Sequence, residues 1–515
     1  MITRHLTLPS VFMISALALV SCADGASGDG EAAEGETAAS AEPTAASDVA
    51  DDTADDTSDG EDEAAAEAAV VEPSDRETLA AGGPSPRLAI THDGGVSVLD
   101  GASLEVLSEH QAEGFLRVNP AGDGRHFFLS EGETFRLIDG GTWGEPHGDH
   151  NDYFTTDPHL SDVTVDGPAP GHVVSHDGVG TLFFDGSGEI HSYELAELSD
   201  LDLGADSELE TEVAETQEAH HGVAAVFADG GRFETLGDED GSNGARVLDA
   251  DGEEVARSEE CPGLHGEAAG PEGMIAVGCE DGMMVFDGAE FSKIAAAEEY
   301  ARIGNLFPAE DSSIFLGDYN TDEDGEEPMT QVALVDAADE EISLVDLDAA
   351  YNFRSLARGP EGEALVLAED GQLHVIDAET GEHTDHLEIM EEWTEPEEWQ
   401  EPSPAIRVVG DIAYITEPDA QALHMVDLGS MEIINSAELD FTPNEIAAVD
   451  GRPAEGAAEH EGEHGEDEAH EGHGHTDDEH DDGEPAEGED ADDEHADHDH
   501  AEDQPADDEH DDHDH

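Results

Sequence analysis

The sequence predicts an all-β protein built as a single β-propeller, with a low-complexity segment on either side. Three observations carry this. Short runs of alternating apolar and polar residues recur through the middle of the chain, with no sustained helical period between them. A tight Gly/Asp turn splits each pair of runs. Arg87 to Asp100 reads Arg-Leu-Ala-Ile-Thr-His-Asp-Gly-Gly-Val-Ser-Val-Leu-Asp, and Gly180 to Tyr193, Ala364 to Asp377 and Ile412 to Asp427 repeat the form. The unit returns at roughly 30 to 50 residues, the span of a four-stranded blade.

The chain opens with Arg4 and His5, then a mostly apolar run from Val11 to Val20. That run is too short to span a bilayer and reads as a processed signal. Leu19-Val20-Ser21-Cys22 resembles a bacterial lipobox. Cleavage before Cys22 would leave residues 1–21 as the signal peptide and place a lipid on the Cys22 sulfur. Ordinary signal cleavage is the alternative. The expected location is extracytoplasmic, on a membrane anchor. Residues 22–84 are Ala, Glu, Asp, Gly, Ser and Thr with few large apolar side chains. They cannot bury enough surface to offset ordering entropy and are expected to form a disordered tether.

The propeller is expected over residues 85–451. Inner strands should begin near Phe115, His172, His221, His265, Ile303, Asn352, Ala405 and Glu445. Eight blades are preferred and seven is the alternative count. Asn444 to Asp450 would complete the first blade and close the ring. A pair of β-sandwiches is the competing architecture; it explains the strands but not the repeated turn. Residues 452–515 are mostly His, Asp, Glu, Gly and Ala, and should be disordered.

The net charge is −119 and Lys293 is the only lysine. A chain this acidic repels phosphate, so nucleic-acid binding is excluded. Acidity alone suits both a solvated surface and cation attraction. After Cys22, two cysteines remain. Outside the cytoplasm Cys261 and Cys279 are expected to form a disulfide bracketing His265, the alternative being two thiolate ligands.

Three sets of residues suggest metal chemistry. His172, His221 and His265 open successive expected blades, so their imidazoles should gather at one mouth of the central channel. Zinc takes three such nitrogens and a fourth ligand. His220 adjoins His221, and only one of the pair can easily face the axis. His176 shares the strand parity of His172, and Glu267 that of His265, as a fourth ligand or an orienting acceptor. The second set is the loop carrying His147, His150 and Asp152, a chelating loop if it is more than a polar surface turn. The third is the tail, where His460, His464, His470, His473, His475 and His480 are interleaved with carboxylates, as are the histidines from His495 to His515. Such tracts bind divalent metal weakly at many places. No Gly-x-Ser-x-Gly motif or Gly-rich phosphate loop occurs.

Four stretches together resemble one known family. They are His147-Gly-Asp-His150, Gly171-His-Val-Val-Ser-His-Asp-Gly178, His220-His-Gly-Val223, and Cys261-Pro-Gly-Leu-His-Gly-Glu-Ala268 followed by Cys279. They are similar to the AztD family of extracytoplasmic zinc metallochaperones. The resemblance runs from about residue 85 to 450 and is strongest between residues 144 and 280. It implies a propeller that holds zinc and hands it to the AztC-like solute-binding protein of an AztABC-type zinc importer. The chain departs from the family at Asp152, where the pattern carries a further histidine. The lipobox and the histidine tail are additions. A propeller hydrolase or lactonase with a zinc-activated water is the competing function, and a metal-stabilised surface interaction protein is a third.

Overall fold

The computed structural model describes residues 76–454, apart from Asp149, Asp202, residues 205–206 and 310–311, Asp324 and Glu326. Among these residues the only helical pieces are Leu195–Ser199 and one turn at Pro271–Gly273. None is long and apolar enough to cross a membrane.

Eight antiparallel sheets of four strands or more follow one another in chain order. Their inner strands are Ile446–Val449, Arg117–Pro120, Pro170–His176, Ala224–Val226, His265–Ala269, Leu306–Phe307, Leu356–Arg358 and Ala405–Val409. The expected strand starts lie at or close to these. Inner strands of neighbouring sheets touch around most of the ring. The ring closes through the chain's two ends, where Ile446–Val449 pairs with Ile90 to Arg87 of the first sheet. The fold is the all-β propeller that the repeated turn implied.

Burial explains the strand sequences. The second strand of most sheets lies between two neighbouring sheets and is apolar on both faces, as in Phe-Phe-Leu of His126–Glu131 and Ala-Tyr-Ile of Ile412–Glu417. Outer strands such as Val106–Gln111 and Glu432–Glu438 are half exposed and carry carboxylates, which blunt the edge against further pairing. Apolar clusters fill the wedges between sheets. Between the second and third sheets, Phe128 meets Phe135 and Tyr193 edge-on, and Phe135 meets Phe184 at 5.1 Å. The buried Tyr193 hydroxyl donates to the Ala121 carbonyl at 2.8 Å, so its polar end is satisfied.

A ninth sheet stands outside this series. Leu79–Ala81 pairs with Thr155 to Tyr153, and Thr142–His147 forms a hairpin with His150–Thr155. Trp143 stacks on Phe154 at 5.6 Å and Arg125 lies over Trp143. The segment expected to be a chelating loop is thus a β-hairpin. Arg76 ion-pairs with buried Asp139, which also holds Arg125. Burial alone would raise the Asp139 pKa, but the two guanidinium groups hold it well below the usual carboxylate range. The last part of the expected tether therefore joins the fold before residue 85. At the other end, Ala454 packs against the apolar cluster of the second and third sheets.

Candidate metal centre

His172 lies on Pro170–His176, His221 just ahead of Ala224–Val226, and His265 at the start of His265–Ala269. One nitrogen from each lies within 4.8 Å of the other two. The ring centroids are 5.2 Å apart for His172 and His221, 5.2 Å for His221 and His265, and 6.0 Å for His172 and His265. Two of the three sit beside irregularities in the strand ladder, one between Pro170 and His172 and one between His265 and Glu267. Such bulges re-aim side chains out of the regular alternation.

Two of the imidazoles are held from behind. His221 Nδ1 donates to Asp185 Oδ2 at 2.6 Å, and His265 Nδ1 donates to the Gly304 carbonyl at 2.6 Å. Because both partners only accept, the proton sits on Nδ1 and the lone pair on Nε2, the atom free to ligate. Two glycines permit these approaches. A Cβ at Gly171 would come within 2.4 Å of Asp185 Oδ1, and one at Gly266 within 2.5 Å of the Gly304 oxygen. Gly266 also has φ +61°, a conformation that disfavours other residues.

Electrostatics keep two of the three rings, His172 and His265, unprotonated. Burial pushes His172 well below the ordinary imidazole value, and His221, His265 and Arg117 push it further. Burial lowers His265 to about 4 against the opposing Gly304 bond. Both are neutral lone-pair donors at pH 7. The three rings line a cavity of about 590 Å³ that Glu267 also lines. Burial raises the Glu267 carboxyl to about 8. Glu267 is not among the three converging ligand groups; the bulge at Gly266 removes the simple parity that linked it to His265.

Cys261 and Cys279 are joined in a disulfide bracketing His265. Both sulfurs are buried in the cluster that also holds Leu264.

The second group is at the hairpin tip. His147 and His150 are cross-strand partners with rings 5.1 Å apart. Asp152 Oδ2 accepts from His147 Nδ1 at 2.9 Å, and Asp152 Oδ1 lies 3.8 Å from His150 Nε2. One ligand atom from each of the three lies within 4.8 Å of the others, and all three residues are exposed.

Two expected ligands go elsewhere. His220 is buried, with Nε2 on Thr235 Oγ1 and Nδ1 on the Glu218 carbonyl, both at 2.8 Å, and with its ring on Phe183. The choice between His220 and His221 is thus made by packing. His176 is buried against Phe227 at 5.3 Å and does not line the cavity. Cys22 and the tail residues His460, His464, His470, His473, His475 and His480 lie outside the described residues. Sequence reasoning missed Asp185 because it sits in one of the repeated Asp-Gly turns, where an aspartate already has a reason to be. Gly304 acts through its backbone and leaves no side-chain signal.

No protein-family model matches the chain. The chain is 26% identical to the zinc chaperone AztD of Citrobacter koseri over 387 residues, covering 73% of this chain and 87% of that protein. The crystal structure of Citrobacter koseri AztD matches with a TM-score of 0.62 at 24% identity, over 71% of this chain and 98% of that one. The structure of apo AztD from the same organism matches with a TM-score of 0.62 at 22% identity, with the same coverage. The resemblance read from the four motifs is borne out by these similarities, and the shared fold with them.

Proposed function

We propose that this chain is an extracytoplasmic zinc carrier without catalytic activity. Its three-histidine channel site holds one ion, which it passes to the solute-binding protein of a zinc ABC importer. The observation that carries the reading is the geometry at His172, His221 and His265. Three imidazoles converge, and two of them are set by acceptors on Nδ1, which leaves Nε2 free to ligate. The similarity to a zinc chaperone supports zinc as the cargo. Three nitrogen ligands leave a fourth coordination position through which ligand exchange can begin. The side chain of His221 is 53% exposed, so a partner can reach it.

The hairpin group at His147, His150 and Asp152 serves as a weaker, more exchangeable stop on the way in or out. The histidine tail raises the zinc concentration around the propeller by tethering many weak sites. Cys22 carries the lipid that keeps the protein at the membrane.

Metal analysis of a chain truncated after Ala454 tests the assignment. It should retain about one tightly held zinc after dialysis against a weak chelator, and His172→Ala should lose it. Retention by the variant would move the site elsewhere. Adding the zinc-free solute-binding protein should draw zinc from the wild-type chain faster than a chelator of matched affinity. Zinc that stays in place would overturn delivery. Turnover on esters or lactones, abolished by His172→Ala, would favour a hydrolase instead.

A further inference from the structure

The channel beside the three histidines is lined by Arg117, Arg302, Arg354 and Arg407. That is four of the fifteen basic residues in a chain of net charge −119. A concentration of guanidinium beside a site for a divalent cation runs against Coulomb's law, since like charges raise the cost of bringing the ion in. The arginines therefore call for negative charge in the same cavity.

The protein supplies only part of it. Glu445 is shared: it accepts from Arg117 Nε at 3.2 Å and lies 3.5 Å from an Arg354 nitrogen. Arg354 is otherwise committed to structure, bonding Asn444, Ser403 and the Glu401 and Trp399 carbonyls, although its buried Nε has no partner. Asp318 is spent on the backbone of Gly304 and Asn305 and on the Asn305 amide. Arg302 and Arg407 have no ion pair among the described residues. Arg302 donates to the Gly263 carbonyl at 3.0 Å, and Arg407 to the Ile406 carbonyl at 2.7 Å. No nitrogen of Arg302 or Arg407 is both fully buried and unpartnered, so their remaining donors stay open to an acceptor entering the cavity. Planar forks of this kind suit carboxylate and phosphate oxygens.

We propose that the arginine wall of the channel binds a small multivalent oxyanion, of the carboxylate or phosphate class, beside the three histidines. The anion offsets the charge of Arg302 and Arg407, and one of its oxygens is available for the fourth position on a zinc ion. That last step rests on the zinc reading above; the anion site itself does not. The cavity of about 590 Å³ is large enough for such a ligand.

Calorimetric titration of the zinc-free full-length protein with inorganic phosphate, and separately with succinate, at low ionic strength tests the site. Saturable binding of at least one of them is expected, and which arm binds tells phosphate from carboxylate recognition. Arg302→Gln and Arg407→Gln should each weaken it by roughly tenfold or more. The anion should also tighten zinc binding by the same factor by which zinc tightens the anion. If the variants fail to fold, the wild-type protein still decides: the anion should protect Arg302 and Arg407 from phenylglyoxal, read by peptide mass. No saturable binding of either anion, binding unchanged in both variants, or equal labelling with and without anion would overturn the proposal. Anion binding without zinc binding would sink the carrier reading instead and leave this one standing.

Discussion

The channel and the hairpin tip carry the same kinds of side chain and differ in nearly everything else. In the channel, the three histidines stand at or beside the inner strands of three different sheets, and two are fixed by a carboxylate or carbonyl behind them. At the tip, both histidines come from one hairpin and the carboxylate within reach is itself a candidate ligand. The side chains of His147 and His150 are 70% and 59% exposed. The channel has already met the ordering cost of its ligands through folding, whereas the tip must order exposed side chains when the ion binds. Residue type therefore says where metal can bind, and tertiary support says how tightly.

The strongest test of that contrast is His172→Ala. Removing a converging ligand should lower tight zinc affinity by more than the roughly 10–100-fold that loss of a supporting partner causes. Competition with a fluorescent chelator reads it, and an unchanged affinity would place the tight site at the tip. Asp185→Ala tests the support itself. It frees the His221 ring without touching a ligand atom, and the expected loss is roughly 10-fold, with zinc stoichiometry unchanged.

Acid sharpens the comparison next. The lowered pKa of His172 and His265 means that the neutral, ligating form persists to lower pH than for an ordinary imidazole near 6.5. Protons compete for His265 only as pH falls toward about 4. Zinc titrations at pH 5.5 should show the channel ion retained while sites built of ordinary imidazoles release theirs. Simultaneous release of all zinc near pH 6.5 would contradict this. The same shift works against the zinc-free fold. Below the unfolded value near 6.5 the unfolded chain takes protons that the folded one refuses, so stability should decline as pH falls from there toward about 4. The smallest effect is expected from His147→Ala. Equilibrium affinity for the tight ion should hold within about 2-fold, a factor worth only a few tenths of a kcal/mol. The rate of zinc exchange with a chelator should fall.

Much of this was legible in the chain. The Asp-Gly turn between alternating runs is a local signal, because turn chemistry and strand parity are set by neighbouring residues. It located the sheets and the closing strand at Ile446–Val449. The converging histidines were legible for the same reason, since each stands at or near an inner strand. Parity failed where the backbone is irregular, since the bulge at Gly266 loosened the tie between His265 and Glu267; His176 lies on a regular ladder with His172 but packs against Phe227 away from the cavity. The hairpin at His147 hid behind its polarity, and the strand added to its second arm, Leu79–Ala81, is distant in sequence.

By itself, then, the sequence determined the propeller architecture, the pairing of Cys261 with Cys279 and the three imidazoles that open inner strands, because repeats, turns and cysteine number act locally or combinatorially. The tertiary structure decided between His220 and His221, recruited Asp185 and the Gly304 carbonyl, and gathered Arg117, Arg302 and Arg407 from three different sheets, with Arg354 from a turn, around one cavity. Those outcomes depend on groups far apart in the chain meeting at angstrom distances, and only the closed ring of sheets brings them together.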